Sequence, residues 1–297
     1  MKNTLGVKNM RDFIILTDSC ADLTAEQYRE RGVRTVELGV ILEGADPIPN
    51  RDVDVKDFYA KQRSKIGTTT SAASIEQFIT VVDEILSEND VDLLYLGFSS
   101  ALSGTFNAGA VALGELSEKY PDRKLYAVDT LCASLGQGLL VHLASQKKQS
   151  GADIDAVKAY VEKIIPNLCH WFTVDDLFFL KRGGRVSAAT AVVGSLLSIK
   201  PVLHVDNAGK LINVTKARGR RAAIDALFEK TRATILPNVN DVIYICHGDC
   251  IEDAEYLADR VRNELGIKDV MIGYTGPVIG SHSGPGTLAI FYLGNER

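Results

Sequence analysis

The chain has 297 residues, of which 46% are hydrophobic, and a formal net charge of −5. This length allows one large domain or two medium ones, with enough apolar residues for a sizeable core. The acidic balance argues against general nucleic-acid binding. The sequence has no run of 18 or more apolar residues, so we expect no membrane span. Residues 1–10 lack the apolar segment of a signal peptide, so we expect a flexible leader on a cytoplasmic protein.

The first half of the chain alternates strand and helix patterns. Apolar runs predict strands at 12–18, 34–42, 91–98 and 124–130. Helices are expected from 25, at 55–64, at 75–87, from 103 and at 132–148, two of them opened by the capping-box pairs Thr24–Gln27 and Ser74–Gln77. This alternation predicts βαβ units, and therefore a three-layer α/β/α domain with a parallel sheet over residues 11–166.

The second half has a different pattern. A helix at 153–165 ends at Pro166, where we place the domain boundary. Strands are expected at 169–175, 241–248, 269–275 and 287–294, with a hairpin over 202–217 that turns at Asn207 and Gly209. Helices are expected at 187–198, 219–233 and 251–265. Hairpins mixed with helices predict a mixed-sheet α/β domain over residues 167–297.

Six short polar segments, most of them containing glycine, are spread along the whole chain. They are TDSCADLT (17–24), GTTTSAAS (67–74), SSALSGTFNAG (99–109), KRGGR (181–185), KARGRR (216–221) and GSHSGPG (280–286). The first three lead into helices, and such corners meet at one edge of an α/β sheet. We therefore expect one cleft lined by the hydroxyl groups of Thr70, Ser71, Ser99, Ser100 and Ser103. Hydroxyls and free helix N–H groups are donors, which suits an anionic ligand.

Histidine and arginine residues in the later segments have more than one possible role. His282 stands among small residues that let backbone approach a ligand, and its ring can donate to an anion or serve a structural role. Arg185 and Arg218 follow glycine-containing or strand-like segments. Such arginines form solvated surface, bind phosphate or meet an acidic partner.

Other motifs carry no chemistry. GPGTLA (284–289) fits a dinucleotide fingerprint, but too few residues follow it to supply the acidic ribose ligand. Cys246, His247 and Cys250 could suggest a metal, yet no second ligand pair follows them. We therefore expect no metal and no cofactor, and reduced thiols at the five cysteines.

The ordered motifs TDS, TS-x-x-S, SS-x-L-SGT, VDT, K-x-GGR, K-P-V-L, AR and H-x-G-x-G resemble those of the DegV family of bacterial fatty-acid-binding proteins, from about residue 12 to 294. The resemblance implies two α/β domains with the lipid held between them. It also implies a non-catalytic protein that binds a long-chain fatty acid of the palmitate, stearate or oleate class. As in characterised members of the family, the resemblance further implies that the carboxylate is presented to a separate dihydroxyacetone-kinase-like ATP-binding subunit, which forms the acyl phosphate. Transient membrane contact is compatible with this role.

By the same resemblance, Thr70 and Ser103 would hydrogen-bond the carboxylate and His282 would complete the network. Ser71, Ser100 and Asn107 would be neighbouring contacts, and Arg185 and Arg218 would serve phosphoryl transfer or partner docking. The chain departs from the usual K-T-S-Q-P by reading T-T-S-A-A at 69–73, and Cys20 replaces the usual threonine. The hydroxyl at 70 is kept. The helix at 187–198 would be a tunnel wall or a plain core helix.

Two alternatives stay open at this point. One is a stand-alone serine-dependent hydrolase or phosphotransferase, with Ser103 or Ser99 as nucleophile, His282 as base and Asp18 as the group that orients it. The other is a lipid-responsive regulatory protein that has no kinase partner.

Overall fold

The computed structural model describes residues 11–186 and 198–297. The predicted leader and the predicted apolar helix up to residue 197 lie outside these ranges. No helix within the described ranges combines the length and the apolar character that crossing a bilayer requires.

The strands of the described chain are β1 (Phe13–Asp18), β2 (Val33–Val36), β3 (Gly39–Leu42), β4 (Ile48–Pro49), β5 (Thr68–Ser71), β6 (Asp92–Gly97), β7 (Leu125–Asp129), β8 (Leu168–Thr173), β9 (Ile199–Val205), β10 (Leu211–Arg218), β11 (Val242–His247), β12 (Asp269–Tyr274) and β13 (Leu288–Leu293). The helices are α1 (Ala25–Glu30), α2 (Val55–Arg63), α3 (Ile75–Glu88), α4 (Thr105–Lys119), α5 (Leu135–Gln149), α6 (Ile154–Ile164), α7 (Phe178–Arg182), α8 (Arg220–Thr234), α9 (Ile251–Arg260) and α10 (Pro277–Ser283).

The predicted parallel sheet is confirmed. Its order is β2-β1-β6-β7, and each neighbouring pair runs parallel. Both predicted capping boxes are present, at Thr24–Gln27 before α1 and Ser74–Gln77 before α3. Side chains therefore start these helices as the sequence indicates.

The predicted mixed sheet is also confirmed, with the order β10-β9-β8-β13-β11-β12. Only β11 and β12 run parallel within it. The segment TLAIFYLG supplies β13, which lies in the middle of the sheet between β8 and β11. The β9–β10 hairpin turns at Asp206–Gly209, as predicted. The chain is thus an α/β protein with one parallel and one mixed sheet.

The single strand predicted at 34–42 is wrong. It divides into β2, in the parallel sheet, and β3, which joins β4 and β5 in a small antiparallel sheet. The chain leaves the first sheet because the Leu38 N–H donates to Ser19 Oγ (2.9 Å) and the Leu38 carbonyl accepts from Asn50 N (2.9 Å). The small sheet also turns the four hydroxyl residues at 68–71 into strand β5 rather than a corner loop.

Helix α5 lies between the two large sheets. Nine of its fifteen residues are buried, and it contacts β1 and β6 on one side and β8, β11 and β13 on the other. A Cβ at Gly136 would stand 2.2 Å from His170 Nε2, so glycine is needed for this close approach. The two sheets therefore share one apolar core, although α6 and the turn containing Pro166 separate them in sequence. The domain boundary at Pro166 stays a prediction.

The small sheet and α2 fasten helix α10 to the first half of the chain. Tyr59 donates to the carbonyl of Thr275 (2.7 Å), and the Gln62 amide donates to the carbonyl of Gly280 (3.0 Å). Asn50 accepts from Val278 N (3.0 Å). Residues from the two ends of the sequence are thereby held side by side.

Candidate functional site

A cavity of about 190 Å³ lies where the parallel sheet, the small sheet, the mixed sheet and α10 meet. One buried water needs roughly 10–15 Å³ measured in this way, so the space fits a much larger guest. Its wall is mainly apolar and includes Leu38, Phe98, Phe172, Val278 and Phe291. The polar side chains of the wall are therefore the informative ones.

Thr70 and His282 meet in the cavity wall. Thr70 Oγ1 lies 2.8 Å from His282 Nε2, although the residues are 212 positions apart. The small residues around His282 do not all lie in a loop, because residues 277–283 form helix α10 with Pro277 at its first position. Gly280 is needed there for packing, since a Cβ would stand 2.6 Å from the Tyr59 hydroxyl.

The His282 imidazole is neutral at pH 7. Burial, together with the charges of Arg185 and Arg182, lowers its pKa to about 4. Its Nδ1 is buried and has no hydrogen-bond partner within the described residues. A Cβ at Gly183 would stand 2.2 Å from this nitrogen, so the glycine of KRGGR makes room for the ring.

Ser103 and Arg185 are two further polar residues of this wall. Ser103 precedes α4, and its Oγ accepts from Thr105 N (3.2 Å) and lies 2.9 Å from Thr105 Oγ1. Arg185 donates from Nε to the Leu102 carbonyl (3.0 Å), and burial lowers the pKa of its guanidinium. The wall also contains Ser283, the last residue of α10. We call Thr70, Ser103, Arg185, His282 and Ser283 the open polar set.

Besides Ser99, which is described below, four predicted site residues lie away from the cavity wall, as far as the described residues define it. Ser71 faces Gly39, and Ser100 N donates to an Asp129 carboxylate oxygen (3.2 Å). Asn107 is exposed on α4, and Arg218 is exposed at the end of β10. The cleft predicted from the hydroxyl segments therefore contains only part of them.

The residues of the predicted serine-enzyme alternative do not assemble. Ser99 is buried and donates to the Gly209 carbonyl (2.9 Å). Asp18 accepts from the Tyr95 hydroxyl (2.9 Å) and the Phe98 amide (2.8 Å) instead of orienting His282. Within the described ranges, neither Ser99 nor Ser103 is hydrogen-bonded to His282, so the nucleophile–base pair that this chemistry needs is not formed.

A second polar group in the wall, which the sequence did not predict, consists of Ser134, Cys246 and Thr275. Thr275 Oγ1 donates to Cys246 Sγ (3.1 Å), and Ser134 Oγ contacts Cys246 Sγ (3.3 Å) and donates to the Asp22 carboxylate. Burial raises the pKa of the Cys246 thiol to about 12 and that of Asp22 to about 7. We call Ser134, Cys246 and Thr275 the closed polar chain, because each of these side chains has a partner.

The remaining wall residues include His170 and Phe172 on β8, and Ala289 and Phe291 on β13. The two-residue spacing places each pair on one face of its strand. The alternation is visible in the sequence, but it does not indicate which face of the sheet borders a cavity. Residues 11–186 and 198–297 contain no cluster of three or more side chains that could hold a metal ion.

Sequence comparison connects the chain to known proteins. A family model described as "Uncharacterised protein, DegV family" matches residues 12–295. A DegV domain-containing protein of Clostridium perfringens is 44% identical over 290 residues, covering 97% of this chain and 99% of that protein. A DegV domain-containing protein of Streptococcus pyogenes is 37% identical over 289 residues, covering 96% of this chain and 99% of that protein.

Solved structures show the same architecture. A DegV family protein from Thermus thermophilus, described by its fatty acid binding, superposes with a TM-score of 0.84 at 33% identity, covering 96% of this chain and 100% of that one. DegV of Bacillus subtilis, described as a fatty acid binding protein, superposes with a TM-score of 0.83 at 26% identity, covering 96% of this chain and 100% of that one. The family match spans nearly the whole sequence, and the cavity lies within it. The chain belongs to the DegV family.

Proposed function

We propose that this protein binds a long-chain fatty acid of the palmitate, stearate or oleate class, with the acyl chain in the cavity and the carboxylate at Thr70, Ser103 and His282. The observation that carries the proposal is the joining of an apolar wall to a Thr–His pair, a serine and an arginine in one cavity. Relatives described as fatty-acid-binding proteins share this fold.

The hydrogen-bond capacity of the site suits a carboxylate. If the neutral imidazole donates from Nε2 to Thr70 Oγ1, the Thr70 hydroxyl hydrogen is free for a ligand oxygen. Likewise, Thr105 can donate to Ser103 Oγ, which frees the Ser103 hydrogen. The Arg185 guanidinium adds a positive charge, and charge-assisted hydrogen bonds are the stronger kind.

The apolar wall suits the tail. About fifteen methylene groups of palmitate would contribute roughly 0.8 kcal/mol each, about 12 kcal/mol before the costs of association and ordering. Most of the affinity then comes from the tail, and a few hydroxyls suffice to orient the head.

Native mass spectrometry of the protein purified from a bacterial host, followed by lipid identification, tests the binding proposal. We expect a stoichiometric mass excess that corresponds to a long-chain fatty acid. An unliganded mass that persists after incubation with palmitate and oleate would contradict it.

We further propose that the protein is a non-catalytic lipid-binding subunit in the cytoplasm, which presents the carboxylate to a separate dihydroxyacetone-kinase-like ATP-binding protein. The family resemblance supports this role, as do the five free cysteines, which suit a reducing compartment. Arg218 is exposed and outside the described cavity wall, which suits a contact with a partner rather than with the lipid.

Substitution of Arg218 tests whether lipid binding and contact with the partner kinase depend on different residues. We expect Arg218→Ala to bind palmitate normally but to be phosphorylated more slowly by the partner kinase, with Lys216→Ala on the same strand as control. Equal loss of both activities would contradict this separation. Normal lipid binding with no phosphorylation by any such kinase of the source cell would favour a regulatory role instead.

A further inference from the structure

Ser283 is a buried hydroxyl residue in the cavity wall whose role is not explained by folding. It is the last residue of α10 and follows His282 directly. The residue is only 5% exposed, and its Oγ has no hydrogen-bond partner within the described residues. A buried hydroxyl without a partner destabilises the folded state, so such groups need an explanation.

Ser281 on the same helix shows how a buried serine is normally satisfied. It is 2% exposed, and its Oγ donates to the carbonyl of Pro277, four residues earlier (2.8 Å). Ser281 does not line the cavity wall, as far as the described residues define it. The two serines have the same chemistry and similar burial, and they differ in whether a partner is present and whether they border the cavity.

We propose that Ser283 is a further ligand-binding residue, which donates its hydroxyl hydrogen to the carboxylate of the bound fatty acid. This inference rests on the proposed function. An ionised carboxylate has about four acceptor positions on two oxygens, so it can accept from Ser283 as well as from Thr70 and Ser103. The neighbouring His282 already lies at the Thr70 end of the cavity wall.

The added donor also specifies the ligand class. A methyl ester carries no charge, and its carbonyl oxygen is a weaker acceptor than a carboxylate oxygen. The open polar set therefore favours free fatty acids over their esters. Its donors come from four places: β5, the loop that precedes α4, the segment that follows α7, and α10.

The test compares Ser283→Ala with Ser281→Ala in calorimetric titrations of delipidated protein with palmitate and with methyl palmitate. We expect Ser283→Ala to bind palmitate about tenfold or more weakly, and methyl palmitate as wild type does. We expect Ser281→Ala to keep its palmitate affinity. In urea unfolding of ligand-free protein, the midpoint should fall for Ser281→Ala and should not fall for Ser283→Ala.

The outcomes separate the two proposals. Unchanged or tighter palmitate binding by Ser283→Ala, while wild type binds, would overturn the role of Ser283 and leave fatty-acid binding standing. Failure of wild type to bind palmitate would overturn both. If Ser283→Ala does not fold, Ser283→Cys keeps a similar volume with a weak donor, and unchanged palmitate affinity in that variant would overturn the inference.

Discussion

The open polar set and the closed polar chain line the same cavity, yet their hydrogen bonding differs. In the closed polar chain, the Thr275 hydroxyl contacts the Cys246 thiol, which contacts the Ser134 hydroxyl. The Ser134 hydroxyl in turn donates to Asp22. In the open polar set, His282 Nδ1 and Ser283 Oγ have no partner within the described part of the chain. Polarity alone therefore does not distinguish the two groups. They differ in whether the hydrogen-bond capacity of their side chains is used within the described part of the chain.

Among the substitutions that test this difference, removal of two hydroxyls of the open polar set is expected to reduce palmitate affinity the most. Thr70→Ala with Ser103→Ala should weaken palmitate binding by a factor of about 100 or more, because hydrogen bonds to a charged group contribute about 1.5–3 kcal/mol each. A titration of delipidated protein measures the change. The matched control is Thr69→Ala with Ser100→Ala, two hydroxyls next to the first pair that do not line the described wall. Equal affinities of the two double variants would contradict the role of Thr70 and Ser103.

Gly183 supports the open polar set through the space it leaves for His282. Its backbone φ of −74° suits alanine, but the added methyl would stand 2.2 Å from His282 Nδ1. We therefore expect Gly183→Ala to displace the imidazole, shift its NMR resonances and weaken palmitate binding about tenfold.

Gly184 supplies the control for this substitution. Its φ is +72°, and a Cβ there would meet no atom within 4 Å. Gly184→Asn, a residue that tolerates the left-handed region, should leave the His282 resonances in place. Unchanged His282 resonances in Gly183→Ala would show that the ring does not need the space at 183.

The closed polar chain should respond in the opposite manner. Thr275→Val keeps the side-chain shape and removes the hydroxyl that donates to Cys246, so the free energy of unfolding should fall by about 1 kcal/mol. Palmitate affinity should change less than threefold. Chemical unfolding and titration of one preparation measure both quantities. A large loss of affinity with unchanged stability would place Thr275 among the ligand contacts and erase the distinction.

Stability should depend on pH in opposite directions at His282, in the open polar set, and at Asp22, which bonds Ser134 of the closed polar chain. The pKa of His282 is about 4 in the folded protein, against 6.5 when unperturbed, so the unfolded chain takes up a proton first and acidification from pH 6.5 to 4 destabilises the fold. The pKa of Asp22 is about 7, against 3.8, so its contribution to stability is present at low pH and is lost as the pH rises to 7.

The measurement compares the unfolding free energy at pH 7 and pH 5 for wild type, His282→Gln and Asp22→Asn. Relative to wild type, His282→Gln should lose less stability on acidification and Asp22→Asn should lose more, each by on the order of 1 kcal/mol. Comparison with wild type cancels the four other histidines, whose pKa values are also lowered by burial. Changes of the same sign in both variants would be inconsistent with these environments.

Local sequence patterns predicted most of the fold. The apolar runs located the strands of the parallel sheet, the capping boxes located the starts of α1 and α3, and the Asn207–Gly209 turn located the hairpin, because these signals act over a few residues. The division of 34–42 between two sheets was missed. It depends on hydrogen bonds of Leu38 to Ser19 and Asn50, which no local pattern encodes.

Local motifs also indicated part of the polar wall of the cavity, and its role as a binding site stays a prediction. Thr70, Ser103, Arg185 and His282 were found through spaced motifs, and all four line the cavity. The closed polar chain and Ser283 were missed, because their significance lies in which partners they have after folding. Cys246 was considered as a metal ligand and predicted instead to be a reduced thiol, but its neighbours Ser134 and Thr275 could not be foreseen because they are distant in sequence.

The fastening of α10 to the small sheet has a consequence for the time at which the cavity is completed. Thr70 belongs to a strand synthesised early, whereas His282 and Ser283 leave the ribosome more than 200 residues later. A nascent chain that already contains the whole parallel sheet still lacks one wall of the cavity. The cavity is therefore complete only after α10 has been synthesised, and fragments separated near residue 166 can rebuild it only by complementing each other.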